Sequence, residues 1–545
     1  MKVKKAIAYV LAGVMMFEVA GLTASEQAQA SVKGKLNVKS VTLATGKSVT
    51  LKVKNKGKAK VRWSSSKKKI ASVSSRGKVK AKKKGKATIT ATVSYRGKKK
   101  KLKCRVTVLQ GAKKLRIVDE DKKSVNSIVL NKFDSVKLTG VVSPKKSNDK
   151  VMWKSYNPEV ATVTSKGVVT GQYVGKTTVR AKTYSGKRIK VKVTVKAPVL
   201  SDTLKTAYIK DFKIGAAVNT WQLEGAGAYA KAKALITNQF NSITMENQMK
   251  PESLLSKENQ TRGTDTNVLI NEEILQKVLK LASDNGLKLR GHTLVWHSQT
   301  PEWFFHKDYN VDKSLVSKDV MRQRMESYIK KVLTYCQENY PGVVYAWDVV
   351  NEAVNDDGTM RTSSNWYKVY GDAGYVTDAF TFARKYAEDV KLFLNDYNEY
   401  AAAKRDRIYQ VVKDLYDKGL CDGVGMQSHY SMTSPTIAAV KVAIQKYNQI
   451  DPGKIEIQLT ELDIHNTFRT AADQKSVATK YQSLFNMLVD SRRNQKINIT
   501  GVTFWGLTDG DSWLSDFKGE TSYPLLFGAD YAAKSAYFAV LNAAK

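Results

Sequence analysis

Between residues 31 and 110 the sequence has no aspartate and no glutamate. The 545-residue chain carries 91 Lys and Arg against 49 Asp and Glu, a formal net charge of +42. Residues 31–196 hold 47 of the basic residues and only 6 of the acidic ones, while residues 197–545 hold 41 of each. The imbalance is confined to the N-terminal third, so the two parts answer to different physical demands. Cysteine is scarce too, with Cys104, Cys336 and Cys421 alone. Three thiols cannot all pair within one chain. Cys336 and Cys421 could, and the sequence leaves that open, but a chain this poor in cysteine relies on its cores. A hydrophobic content of 42% suffices for real cores. No stretch is apolar for long enough to span a bilayer. There is no GxGxxG or P-loop at a strand–helix junction, and no cluster of thiolate or imidazole ligands, so neither a cofactor nor a metal is expected.

Residues 1–30 read as a secretory signal peptide. Lys2, Lys4 and Lys5 form a basic start, Ala6 to Phe17 an apolar run, and Ala28-Gln29-Ala30 a small-x-small cleavage site. Secretion is the expectation. No sorting motif or anchor is visible in the terminal Leu541-Asn542-Ala543-Ala544-Lys545, so covalent wall attachment is unsupported.

Residues 31–196 are rich in Val, Thr, Lys and Gly with period-two alternation, as in Ala87 to Val93, and turn signals recur about every ten residues, as in small sandwiches. The segment repeats itself. Trp63-Ser64-Ser65-Ser66 returns as Trp153-Lys154-Ser155-Tyr156, Ile70-Ala71-Ser72-Val73 as Val160-Ala161-Thr162-Val163, and Gly85-Lys86-Ala87-Thr88-Ile89 as Gly175-Lys176-Thr177-Thr178-Val179, each 90 residues on. Such self-similarity marks two copies of one module, 31–110 and 111–196. These motifs resemble the bacterial Ig-like group 2 domain, which implies two all-β sandwiches with Trp63 and Trp153 as core residues and not sugar platforms. The lysine clusters 67–69, 82–84 and 98–101 have no acidic neighbours and attract polyanions. Nucleic acid is a poor partner for a secreted chain without base-stacking aromatics. Anionic cell-wall polymer, or acidic groups on a plant polysaccharide, fits better, and such attraction would retain the protein at the cell surface without a covalent link. A plain spacer is the competing reading.

After a linker at 197–205, residues 206–545 alternate apolar runs with amphipathic stretches. The strand candidates are 212–219, 242–247, 288–297, 343–352, 391–398, 423–430, 455–464 and 501–509. Helical stretches such as 271–283, 318–338 and 474–490 lie between them. Eight strand-then-helix units of this size predict an α/β (β/α)8 TIM barrel. The strand ends carry an unusual load: Asn219; Glu246-Asn247; His292, Trp296 and His297; Asn351-Glu352; Asn395 to Asn398; Gln427 and His429; Glu461 and Asp463; Trp505. Polar groups cost free energy to bury without partners. Eight such ends in series describe one rim around one cavity. His292 and His297 sit at odd spacing on one strand, so their rings face opposite ways, which argues against a metal. Carboxylates, amides and indoles together suit a pyranose: hydroxyls need paired donors and acceptors, and the apolar ring face packs on Trp.

Glu352 ends the fourth strand and Glu461 the seventh, across that cavity. Two carboxyls so placed can cleave a glycosidic bond with retention, one attacking the anomeric carbon and the other protonating the leaving oxygen. Like charges that close do not both ionise easily, which leaves one group as the acid.

The runs Trp347 to Glu352 (WDVVNE), 460–463 (TELD), 291–299 (GHTLVWHSQ), 244–252 (TMENQMKPE) and 425–430 (GMQSHY) resemble family 10 glycoside hydrolases, the endo-β-1,4-xylanases, across 201–545. The resemblance implies Glu352 as acid/base and Glu461 as nucleophile, with His429 and Asp463 as a relay orienting Glu461. It implies that Asn351 bonds the sugar 2-hydroxyl and that His292, Trp296 and Gln427 line the cleavage subsite. Glu246, Asn247, Lys250 and Gln299 would hold the next sugar on the non-reducing side, and Trp505 and Trp513 would form an aromatic wall. Xylan and xylo-oligosaccharides are the implied partners. A β-1,4-glucanase is the alternative within the enzyme class, and a sugar-binding protein without turnover the alternative outside it.

Overall fold

A computed structural model describes residues 32–132, 134–197, 202–262, 266–387, 389–468 and 470–545. The expected signal peptide lies outside the described residues, as do 198–201 of the expected linker.

The first basic module is a two-sheet β-structure, as its alternation predicts. One sheet runs in the order 40–44, 98–109, 85–95, 60–65 and the other 48–50, 78–81, 71–73. Strand 40–44 lies parallel to 105–109, and the other printed pairings in these two sheets are antiparallel. Inward Ile89, Val93, Val106 and Val108 are buried, while Lys98 to Lys101, Lys103 and Arg105 on strand 98–109 face solvent. Trp63 packs against this core half-buried. Gly77 makes room for it at φ 80°, where an added Cβ would lie 3.0 Å from the indole. The second module repeats the pattern. Strand 127–131 lies parallel to 192–196, strand 168–171 sits between 135–137 and 161–163, and Trp153 is half-buried against Gly167.

The neutral region closes into a barrel of eight parallel strands: β1 Lys213–Val218, β2 Ser242–Met245, β3 Lys288–Trp296, β4 Val344–Asn351, β5 Lys391–Asp396, β6 Gly423–Met426, β7 Glu456–His465 and β8 Ile499–Phe504. Each pairs with the next, and β8 returns to β1 with Gly215 beside Thr503. The strands are apolar runs because helices cover them outside and side chains fill them inside. Helix Glu272–Asp284 shows the covering face: Leu275, Val278, Leu279 and Ala282 are buried, and Asn271 caps it through the Ile274 N–H. Full burial of each larger aliphatic side chain there contributes about 1.5–3 kcal/mol, so Leu279→Ala would cost about 2–5 kcal/mol. On the helix-facing side of β4, Trp347 is fully buried against Gly291, where a Cβ would come within 2.3 Å of the ring.

Several strands stop earlier than their apolar pattern suggests. β1 ends at Val218, and Asn219 instead caps helix Thr220–Glu224. β8 ends at Phe504, which puts Trp505 in the following loop and Asp509 at the start of the 3-10 turn Asp509–Asp511. After β6 the chain leaves the ladder at Gln427 and Ser428, then pairs again over His429–Ser431. All three cysteines are buried free thiols. No helix among the described residues is long and apolar enough to cross a membrane. Lys132 of the second module pairs with Asp530 of the barrel at 3.0 Å.

Candidate active site

The C-terminal strand ends converge on a cavity of about 640 Å³. Its lining holds Glu246, Asn247, Lys250, His292, Trp296, Gln299, Asn351, Glu352, Gln427, His429, Glu461, Trp505 and Trp513. Thirteen of the fourteen residues singled out from the sequence therefore meet in one place. The fourteenth, Asp463, stands behind His429. A smaller cavity lies between the Leu333–Val344 segment and Asp389-Val390, away from these groups, and carries none of this chemistry.

Glu461 is 4% exposed within β7. Its Oε1 accepts from Asn395 Nδ2 at 2.8 Å, and its Oε2 lies 3.2 Å from His429 Nε2. His429 Nδ1 lies 3.0 Å from Asp463 Oδ2, which also accepts from the Trp513 indole at 2.9 Å. Burial alone would push Glu461 up. The neighbouring His292 and His429 rings and the Asn395 hydrogen bond outweigh it and hold the carboxyl at about 2. Burial opposes charge on His429 too, yet the flanking Asp463 and Glu461 carboxylates raise it to about 10. At neutral pH the arrangement is an imidazolium donating to a carboxylate on each side.

Glu352 follows the last residue of β4. Its Oε1 accepts from Gln427 Nε2 at 2.9 Å, and its Oε2 is 3.8 Å from His297 Nδ1. The amides of Gln427 and Asn395 both meet Asn351, at 3.2 and 2.9 Å. Three amides thus link the two carboxyl groups and fix their relative placement. Gln299, Glu352, Asn398 and Ser428 all have positive φ, between 45 and 64°. Such strain at non-glycine residues persists only where the surroundings impose it, and four such residues stand on this rim.

Lys250 donates to Gln299 and Asn247 at 2.8 and 3.2 Å, and burial lowers its pKa against the pull of Glu461 and Glu246. Glu246 accepts from Asn219 at 2.7 Å. His292 is held by Asp348 at 3.0 Å, whose other oxygen pairs with buried Arg290. Trp505 meets His292 edge-on at 5.4 Å, and Trp513 meets His429 at 5.0 Å.

Sequence reasoning missed Phe517 and Lys518 in the lining and gave no role to Tyr397 and Asn398. Tyr397 and Asn398 were visible as a strand end. Phe517 lies 4.7 Å from Trp513 on a short helix, Leu514–Lys518, and is 65% exposed. Its signal was its position four residues after Trp513, one turn along a helix.

Comparison with known proteins agrees with this geometry. The profile described as Glycosyl hydrolase family 10 matches residues 203–543, and that described as Bacterial Ig-like domain (group 2) matches 33–104 and 122–197. The chain belongs to glycosyl hydrolase family 10. It is 45% identical over 346 residues to endo-1,4-beta-xylanase B of Butyrivibrio fibrisolvens, covering 63% of this chain and 53% of that one. It is 35% identical over 351 residues to the endo-1,4-beta-xylanase of Geobacillus stearothermophilus, covering 62% of this chain and 98% of that one. Among solved structures, the CBM22-1 and GH10 modules of Clostridium thermocellum endo-1,4-beta-D-xylanase 10B complexed with xylohexaose match with TM-score 0.56 and 32% identity, over 78% of this chain and 80% of that one. The chain spans about half the length of the Butyrivibrio relative and, with 32% covered, about a third of endo-1,4-beta-xylanase Y of Acetivibrio thermocellus.

Proposed function

We propose that the protein is an endo-β-1,4-xylanase that hydrolyses internal bonds of xylan by retaining double displacement. The observation that carries this reading is the unequal treatment of the two carboxyls. Glu461 is buried and held ionised by His429, as a nucleophile requires, whereas Glu352 faces it with only amide and imidazole neighbours for its carboxyl oxygens. Glu461 attacks the anomeric carbon while Glu352 gives its proton to the departing glycosidic oxygen. The resulting ester has no charge on Glu461. A Glu352 carboxylate is then free of like-charge repulsion and takes a proton from water as that water attacks the same carbon, breaking the ester bond and releasing Glu461 as a carboxylate. His429, flanked by Asp463, holds the nucleophile's second oxygen throughout. Asn351, between both carboxyls, is placed to bond the sugar 2-hydroxyl.

The similarity to proteins named endo-1,4-beta-xylanases supports xylan over other β-1,4-glycans. Initial rates on xylan and on carboxymethylcellulose test the choice. Faster xylan cleavage is expected, and faster cellulose cleavage would make the enzyme a glucanase. The basic start and small-x-small site of residues 1–30 support secretion. The two Ig-like modules, with 47 basic and 6 acidic residues over 31–196, support association with anionic wall or polysaccharide groups. Fragment 31–196 should bind such polymers in low salt, and no binding would leave it a spacer.

A further inference from the structure

The backbone that carries Glu352 is held by groups that the two-carboxylate scheme does not use. Glu352 has φ 58°, a left-handed conformation rare for a residue with a side chain. Its N–H donates to the Asn395 carbonyl at 2.8 Å. Its own carbonyl accepts from Arg361 Nε at 2.8 Å, and the same guanidinium donates to the Val354 carbonyl at 3.3 Å and the Tyr397 hydroxyl at 3.0 Å. The Val354 N–H donates to Asp396 Oδ2 at 3.1 Å. The other oxygen of Asp396 is paired at 2.9 Å with Lys404, and both side chains are fully buried. The Lys404 ammonium also lies 3.2 Å over the Tyr397 ring.

The turn at 352–354 is therefore gripped from two sides. Arg361 bonds two of its carbonyls, and Asp396, fixed by Lys404, takes one of its N–H groups. A buried ion pair is a costly way to stabilise a fold, because both charges lose their water. This one sits directly behind the residue that must deliver a proton. We propose that Arg361 and the Lys404–Asp396 pair are positioning residues for the acid/base, holding the 352–354 turn so that the Glu352 carboxyl points at the leaving oxygen. The proposal rests on the xylanase reading above. The grip serves bond cleavage that needs a proton, and not nucleophilic attack by Glu461, whose carboxyl is held by Asn395 and His429 and not by Arg361, Asp396 or Lys404.

The test uses the full chain and two substrates that differ only in leaving group, phenyl β-xylobioside and 2,4-dinitrophenyl β-xylobioside. Phenolate leaves poorly and needs the acid, while dinitrophenolate leaves without it. The parameter is kcat/KM, which reports steps up to the first bond cleavage. Arg361→Met and Lys404→Met should each lower kcat/KM on the phenyl substrate by about 30-fold or more and on the dinitrophenyl substrate by less than about threefold, because general acid catalysis is lost only where it is used. Arg361→Lys, which keeps the charge but not the fork, should fall between wild type and Arg361→Met on the phenyl substrate. It carries the test if either methionine variant fails to fold by circular dichroism. Equal losses on both substrates, or none on the phenyl substrate, overturn the proposal. Failure of the wild-type protein to cleave either xylobioside would instead overturn the xylanase reading.

Discussion

The basic modules and the barrel use charge in opposite ways. In 31–196 the cations outnumber the anions 47 to 6 and, buried Lys132 apart, stand mostly on exposed strand faces and loops, as the alternating exposure of 60–65 shows. Over 197–545 the numbers balance at 41 each, and in the barrel several cations are buried against specific partners: Arg290 with Asp348, Lys404 with Asp396, Lys534 with Asp509. A buried charge without its partner is costly, so barrel charges are fixed by position. A solvated lysine is fixed only by sign. The barrel can therefore use a single carboxylate for chemistry, whereas the modules can act only through the sum of their charge.

Single substitutions should separate the two regimes, and the largest effect belongs at Glu461, the proposed nucleophile. Glu461→Gln should lower kcat on xylan by about 10⁴-fold or more, since no other group can form the ester. Steady-state rates check this, and a loss under tenfold would break the two-carboxylate scheme. Next comes His429, raised to about 10 between two carboxylates. Its folded pKa lies above the unfolded value of about 6.5. The stability it contributes is thus fully present below about pH 6.5 and is lost as pH rises through about 10. The melting-temperature gap between wild type and His429→Gln should be wide at pH 6 and close above pH 10. A gap that does not change with pH would mean that the imidazolium is not charged as described.

A smaller effect is expected at Phe517, whose ring extends the Trp513 wall. Phe517→Ala should raise KM for xylohexaose by about 3–10-fold, the worth of one stacking contact, with a lesser change in kcat. An unchanged KM would remove Phe517 from the sugar path. The smallest effect belongs to the modules. Replacing Lys98 to Lys101 with Gln should leave hydrolysis of soluble xylo-oligosaccharides unchanged within about twofold. It should weaken binding of the full chain to a soluble polyuronate, most clearly at low salt. Binding that ignores both salt and the substitution would show that the modules do not work by summed charge.

Much of this was legible in the sequence. The 90-residue repeat and the missing acids gave the modules, because a period-two pattern and a charge tally need no tertiary knowledge. The eight strand ends gave the barrel rim and ten of the thirteen lining residues, because a polar group ending an apolar strand stands out, whereas Lys250, Gln299 and Trp513 came only from the family resemblance. What lay behind the rim was not legible. Asp348, Arg361 and Lys404 are ordinary charged residues in sequence, Asp396 is visible only as part of a strand end, and only the fold reveals which of them meet. Strand limits were overrun where Trp505 and Gln427 continue an apolar or alternating pattern but leave the ladder to face the cavity. Phe517 reads as a plain helix residue until Trp513 is seen beside it.

The central claim is that Glu461 forms a covalent link that Glu352 helps make and break. The anomeric configuration of the first product tests it most directly. Proton NMR of xylohexaose cleavage, read before mutarotation, should show the β-anomer of the new reducing end appearing first. If the α-anomer appears first, water attacks the sugar directly and the roles given to both glutamates are wrong.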